Sequence, residues 1–247
     1  MEKLINIAAD KIINSKHTTV FTGAGISVES GIPPFRGKNG LWNKYNPEFL
    51  DISYFYKNPL NSWVTIKEIF YDYFGKALPN KAHECVAQLE KLGYVKAIIT
   101  QNIDNLHTNA GSKIVYEFHG NSRKLVCLEC NSVFAVETIN LNILPPKCKK
   151  CNGLLKPDFI FFGEDIPSFA YQKSVEEANI ADVFLIIGTT GEVMPACNIP
   201  IIAKKNGAFI IEINLEISAY THSITDIFLK GTAVEVIGKL FDIIVNK

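Results

Sequence analysis

Residues 21–37 read FTGAGISVESGIPPFRG, and how this stretch is read decides the fold. An apolar run, Thr18–Thr22, leads into two closely spaced glycines, Gly23 and Gly25, and Arg36 stands near the end. A strand that runs into a glycine loop is a common phosphate holder, because backbone without Cβ atoms can bring its N–H groups close to an anion. A P-loop would end in Gly-Lys-Ser/Thr, which is absent. The ordinary dinucleotide fingerprint fails at its third glycine, where Val28 stands, and no clear second strand ending in an acid follows. A hydride-transferring dinucleotide enzyme is therefore disfavoured, while a nucleotide at the loop is not.

Outward from this stretch, the pattern is α/β. Residues 3–15 place apolar side chains at helical spacing ahead of the first strand. Short apolar runs at Val95–Thr100, Ile114–Phe118, Phe159–Phe162, Val183–Ile187 and Phe209–Ile213 read as buried strands. Helical stretches such as Ala82–Leu92 and Phe169–Asn179 separate them, which predicts a doubly wound parallel sheet. Two regions break the rhythm. Residues 38–78 are crowded with aromatics and read as a helical insert over the sheet's edge, and residues 121–156 read as a separate small module. The expected division is residues 1–37, 79–120 and 157–247 in the main nucleotide-binding domain, with these two insertions.

Composition narrows the partners. The formal net charge of zero gives no electrostatic reason for non-specific nucleic-acid binding or for attraction to an anionic membrane surface. No apolar run approaches the ~20 residues that span a bilayer, and no secretory leader is seen. A monomeric cytoplasmic protein is the expectation. Of 25 basic residues only Arg36 and Arg123 are arginines, so a guanidinium kept beside the glycine loop draws notice.

Cys127-Leu-Glu-Cys130 and Cys148-Lys-Lys-Cys151 form two C-x-x-C knuckles 17 residues apart. Two knuckles close all four positions of a tetrahedral ion, which makes this a structural zinc site. Cys85 and Cys197 read instead as small packed hydrophobes. His119, at the end of a predicted strand, has the alternative of a packed or capping histidine; His107 and His83 read as loop support and a helix start, and His17 and His222 as exposed.

Gly23-Ala24-Gly25-Ile26-Ser27, the Gly31–Gly37 run, Thr100-Gln101-Asn102-Ile103-Asp104 and Phe118-His119-Gly120-Asn121 together resemble the motifs of the sirtuin (Sir2-like) family of NAD-dependent protein deacylases. So do the zinc knuckles, Phe162-Gly163-Glu164, Gly188-Thr189-Thr190 and Ile213-Asn214, in family order from about residue 18 to about 235. The resemblance implies a large Rossmann-like domain, a smaller zinc-bearing module and, between them, a cleft in which consumed NAD meets an acyl-lysine protein or peptide. It implies that Gly23, Ala24, Gly25, Val28, Phe35 and Arg36 line the cofactor loop, Phe35 shielding the reactive carbon from water. Gln101, Asn102, Ile103 and Asp104 would hold the ribose and nicotinamide end, with Asn102 and His119 catalytic and His119 the base on a ribose hydroxyl. Gly188, Thr189, Thr190, Asn214, Leu215 and Ala233 would cradle the adenosine half. Ile160, Phe162, Gly163 and Glu164 would pair with the substrate backbone as an added strand.

Departures from the family pattern are few: Pro34 stiffens the loop, Thr190 keeps the hydroxyl of the usual serine, and Val234 replaces a glycine beside the expected adenine site. Members that prefer acidic acyl groups carry an arginine on the helix after the cofactor loop. Here the matching stretch is Trp63-Val64-Thr65-Ile66, which predicts an apolar pocket and a preference for neutral acyl chains. An ADP-ribosyltransferase on the same fold and a non-catalytic NAD- and zinc-binding module are the competing classes.

Overall fold

The computed structural model describes residues 1–37 and 40–247; Lys38 and Asn39, which open the expected 38–78 insert, lie outside the described residues. The strands are β1 (Thr18–Thr22), β2 (Val95–Thr100), β3 (Val115–Glu117), β4 (Gly120–Cys127), β5 (Val133–Ala135), β6 (Leu155–Phe159), β7 (Val183–Ile187), β8 (Phe209–Asn214) and β9 (Ile227–Lys230). Six of them form one parallel sheet in the order β3-β2-β1-β7-β8-β9.

Helices cover both faces of this sheet, which explains why β1 and β7 are buried at every residue and read as unbroken apolar or threonine runs. On one face, helix Glu2–Ile13 turns Ile5, Ala8, Ala9 and Ile12 inward, and helices Lys81–Lys91 and Ala233–Val245 pack beside it. On the other, helices Ser168–Ile180 and Asn198–Lys205 bring Ala178, Ile199 and Ala203 onto Phe21, Phe184 and Ile186. Asn80 starts the helix at Lys81 with a capping box: its side chain accepts from the His83 N–H, and the His83 ring reaches back to the Asn80 N–H. His83 is thus the helix-start residue expected. His17 is not exposed as expected but half-buried, 2.7 Å from Glu177.

The remaining strands form a second, antiparallel sheet in the order β5-β4-β6. Two expectations change here. The strand expected at Phe159–Phe162 runs instead over Leu155–Phe159, paired with β4 rather than in the parallel sheet. The aromatic segment does form short helices, at Ile52–Lys57 and Pro59–Ile66, but it covers the small sheet and not the edge of the large one. Phe55, Trp63, Ile66 and Phe70 share a core with Leu125, Cys127, Leu155 and Phe159, and the Trp63 indole N–H donates to the Leu155 carbonyl at 2.8 Å. The physical reason is supply of partners. A three-stranded sheet has no helices of its own to cover it, and the eleven aromatics between residues 42 and 74 offer that apolar surface.

Candidate active site

The chain winds outward from β1 to β2 and β3, then returns to β7 on the other side of β1 and winds outward again. Between β1 and β7 the connection direction reverses, and the loops after these two strands must diverge there, which opens a crevice at the carboxyl ends of the strands. The glycine loop leaves β1 at this point, and Gly188 leaves β7. The loops cross in contact. A Cβ on Gly25 would sit 2.5 Å from the Cα of Gly188, and one on Gly23 would sit 2.8 Å from the Gly188 carbonyl oxygen.

This contact changes what the glycines do. The N–H of Gly23 donates to the Ile187 carbonyl at 3.0 Å and that of Gly25 to the Gly188 carbonyl at 2.8 Å. Neither is free to meet an anion, as the reading of a phosphate-cradling loop expected. Their missing Cβ atoms serve the crossing of two backbones instead.

A chain of buried polar groups lies under the crevice. The Asn102 amide donates to the Gly23 carbonyl at 3.1 Å and to Ser27 Oγ at 3.2 Å, and Ser27 passes its hydrogen to Asp104 at 2.7 Å. Asp104 also accepts the Leu106 N–H at 3.0 Å. Burial pushes its carboxyl pKa up, opposed by these two donors. His83 Nε2 stands 3.4 Å from Ser27, and burial pulls its pKa down to about 4, so it is neutral near pH 7. His107 contacts Thr22 at 3.0 Å and is likewise held neutral by burial, consistent with loop support.

His119 follows β3. Its Nδ1 lies 3.0 Å from the Gln101 carbonyl, which can only accept, so Nδ1 carries the hydrogen and Nε2 keeps its lone pair. Burial lowers its pKa, partly offset by that carbonyl. A neutral imidazole of fixed tautomer is the form a general base requires. Beside it, the Gln101 amide donates to Thr189 Oγ1 at 3.1 Å, and the Asn214 amide to the Thr189 carbonyl at 2.9 Å. The loops after β2, β7 and β8 are therefore tied at one end of the sheet.

A cavity of about 180 Å³ opens from this end; Ala24, Phe35, Asn102, Ile103 and Asp104 line it. Its far wall comes from Phe70 and Phe74. Trp63 and Ile66, the expected acyl-pocket walls, are fully buried in the second core and line none of it. Val28 and Arg36 are exposed and do not line it either. Thr190 and Leu215 are exposed near the tied loops, and Ala233 is buried at the start of the last helix.

The segment expected to add a strand to a substrate forms a turn. Glu164 N–H donates to the Phe161 carbonyl at 3.1 Å with Gly163 at φ +91°, and Phe162 is bound on both sides by Leu50 and Ile52. Ile160 is tied by its N–H to the His119 carbonyl at 2.9 Å, which sets this turn next to the candidate base.

The four knuckle sulfurs lie within 4.8 Å of one another. Zinc–sulfur bonds of about 2.3 Å in a tetrahedron put sulfurs about 3.8 Å apart. The Cys127–Cys151 and Cys130–Cys148 separations of 3.5 and 3.7 Å fit this. Both knuckles turn alike, with Asn131 and Asn152 at φ 56° and 62°, and Lys150 and Gly153 aim N–H groups at Cys148 and Cys151. One tetrahedral zinc fits the four thiolates. Cys85 and Cys197 are buried apart from them, as expected.

The family model described as Sir2 matches residues 23–195, from the glycine loop through the loop after β7. The chain belongs to the Sir2 family. It is 45% identical to NAD-dependent protein deacylase 2 of Pyrobaculum aerophilum, over 95% of this chain and 93% of that one. It is 44% identical to NAD-dependent protein deacylase 2 of Archaeoglobus fulgidus, over 98% and 96%. Among solved structures it resembles a mutant Sir2 homologue complexed with ADP-ribose, at TM-score 0.92 and 42% identity over 97% of this chain and 96% of that one. A Sir2 bound to an acetylated peptide matches at TM-score 0.88 and 32% identity, over 96% and 97%.

In this Sir2 protein the sequence reading missed Ser27 as the link between Asn102 and Asp104, although it stood in the quoted motif. It also missed the contact of His83 with Ser27. A serine two residues past a glycine pair looks like loop chemistry, and only the fold brings Asp104 and His83 to it.

Proposed function

We propose that the chain is an NAD-dependent protein-lysine deacylase that releases nicotinamide and transfers the acyl group to ADP-ribose. The observation that carries this is His119: a buried imidazole with Nδ1 held by the Gln101 carbonyl, on the same loop cluster as Asn102 and Asp104. The deacylase names of the relatives and the peptide and ADP-ribose complexes of the structural neighbours support it.

When bound, NAD supplies an ADP-ribosyl electrophile as nicotinamide departs. Asp104 accepts from the departing carboxamide and Phe35 keeps water from the reacting face, which preserves the co-substrate for the acyl oxygen. His119 Nε2 takes the proton of a ribose hydroxyl, and its fixed tautomer means no rearrangement precedes that step. Thr189 and Asn214 bear on the adenosine side. The zinc site is structural: Cys127 ends β4, the other three cysteines lie in the turns beside the small sheet, and all four positions are filled by protein. The division into a large nucleotide domain, an aromatic insert and a zinc module belongs to this proposal, as do a monomeric state and a cytoplasmic setting for the reduced thiols. No helix among the described residues is long and apolar enough to cross a membrane.

Neutral acyl chains are the preferred substrates in this reading, which rests on the apolar lining residues Phe70, Phe74 and Ile103 against Arg123, the one cation among the described residues that line the same cavity. One peptide carrying acetyl-lysine or succinyl-lysine, incubated with NAD and followed by mass spectrometry, tests it. Nicotinamide and O-acetyl-ADP-ribose should appear together, with kcat/KM at least about tenfold higher for acetyl. Label from NAD on protein without acyl-ADP-ribose would make the chain an ADP-ribosyltransferase, and a succinyl preference would overturn the pocket reading.

A further inference from the structure

Lys156 sits on β6 with its side chain 5% exposed. Its ammonium donates to the carbonyls of Pro157 at 2.9 Å and Phe159 at 2.7 Å, and lies 2.9 Å from the Glu164 carboxylate. It also stands 4.1 Å from the centroid of the Phe161 ring. An ammonium has three hydrogens, and these three oxygens use them all. The same Glu164 oxygen accepts the Phe161 N–H at 2.7 Å, while the Glu164 N–H returns to the Phe161 carbonyl. A buried cation thus ties the end of β6 to the turn that follows it.

What this tie controls is Gly163. Its N–H and C=O have no partner among the described residues, whereas the backbone groups of Phe161 and Phe162 are all taken within the fold. Gly163 is exposed, next to exposed Phe162, and held at φ +91°. A free donor and acceptor on a turn bolted at both ends offer an extended peptide a pairing partner whose direction is set before binding. Ordering it on binding would otherwise cost affinity.

We infer that Lys156 and Glu164 are positioning residues for the substrate peptide: their internal ion pair fixes the turn that presents the Gly163 backbone. Glu164 then acts through the turn and not by touching the substrate, which changes the role the sequence reading gave it. The inference rests on the deacylase reading, in which this turn is the peptide's edge.

Lys156→Met, Lys156→Arg and Glu164→Gln separate the possibilities. With acetyl-lysine peptide and NAD varied independently, Lys156→Met should raise the peptide KM about tenfold or more while the NAD KM moves less than about twofold. Hydrogen exchange at the Phe161 amide should quicken in that variant, and Lys156→Arg should recover most of the peptide KM. Should Lys156→Met fail to fold, Glu164→Gln carries the same test, with an expected rise of about threefold, because the carboxamide oxygen can still accept from Lys156 and the Phe161 N–H while the counter-charge is lost. A peptide KM that stays flat, or that rises in step with the NAD KM, overturns the inference. Exchange protection of residues 159–164 by peptide in the unsubstituted protein separates the two levels. With protection present, a flat KM removes only the clamp; without it, the turn is not the peptide's edge and both readings fall.

Discussion

One methyl group at Gly188 would test the crossing at the switch point. Gly188 has φ +64°, and a Cβ there would lie 2.6 Å from the Gly25 Cα and 2.6 Å from the Ile26 nitrogen. These are backbone atoms and cannot rotate away. The left-handed conformation costs an alanine about 1–2 kcal/mol. Forcing two packed loops apart adds about 1–3 kcal/mol. The sum is about 2–5 kcal/mol, and at ~2–4 °C per kcal/mol for a chain of this size, Gly188→Ala should lower Tm by roughly 4–20 °C. Gly207→Ala is the control, since Gly207 has φ +94° but nothing within 4 Å of an added Cβ. It should show the dihedral cost alone, about 1–2 kcal/mol. Calorimetry of both variants gives the difference, and the NAD KM should rise only for Gly188→Ala, because the displaced loop carries Ala24 and Ser27. If Gly188→Ala melts no lower than Gly207→Ala, the two loops yield freely and the reasoning fails.

His119→Ala should leave NAD and peptide binding within about threefold while turnover falls at least about a hundredfold, checked by calorimetric binding beside steady-state rates. The base works neutral, and burial lowers its pKa from 6.5, so kcat/KM should be flat above that pH and decline only below it. An acidic limb centred at or above pH 7 would contradict the assignment. Cys148→Ser with Cys151→Ser should drop zinc from about one equivalent per chain to near none, since two thiolates cannot close the site. Exchange should then quicken in β4–β6 and in helix Pro59–Ile66, which shares their core. A doubly substituted protein that retains its metal would refute the four-sulfur site.

Legibility followed burial and locality. The strand Thr18–Thr22 could be read because it is a short run buried throughout, and the helix near 82–92 because its buried residues recur at helical spacing. The zinc ligands could be read because their spacing is itself the geometry. β4 escaped because Asn121, Ser122, Arg123 and Lys124 make its first half polar, and β9 because four residues of alternating burial give too short a signal. The turn at Phe161–Glu164 was read as strand because Phe159, Ile160, Phe161 and Phe162 look like one. The strand ends at Phe159, and the turn beyond it is set by Gly163 at positive φ and by the buried Lys156, neither visible as a break in hydrophobicity. The crossing at Gly23 and Gly25 escaped for a related reason: a sequence shows that a Cβ is missing, not which neighbour fills the space.

The reversal of strand order has a consequence for when the pocket comes into being. The two loops that border the crevice, residues 23–26 and 188–189, touch only after β7 has docked beside β1, late along the chain. Contacts of such wide sequence separation carry a heavy loop-closure cost and form late in folding. A chain lacking β7 could still zip β1 to β2 and β3, yet it would have no crevice to bind into. NAD, by binding only once that contact closes, would stabilise the last step of assembly by mass action. Co-substrate supply would then bear on how much of this protein survives in its folded form, apart from how fast each folded molecule turns over.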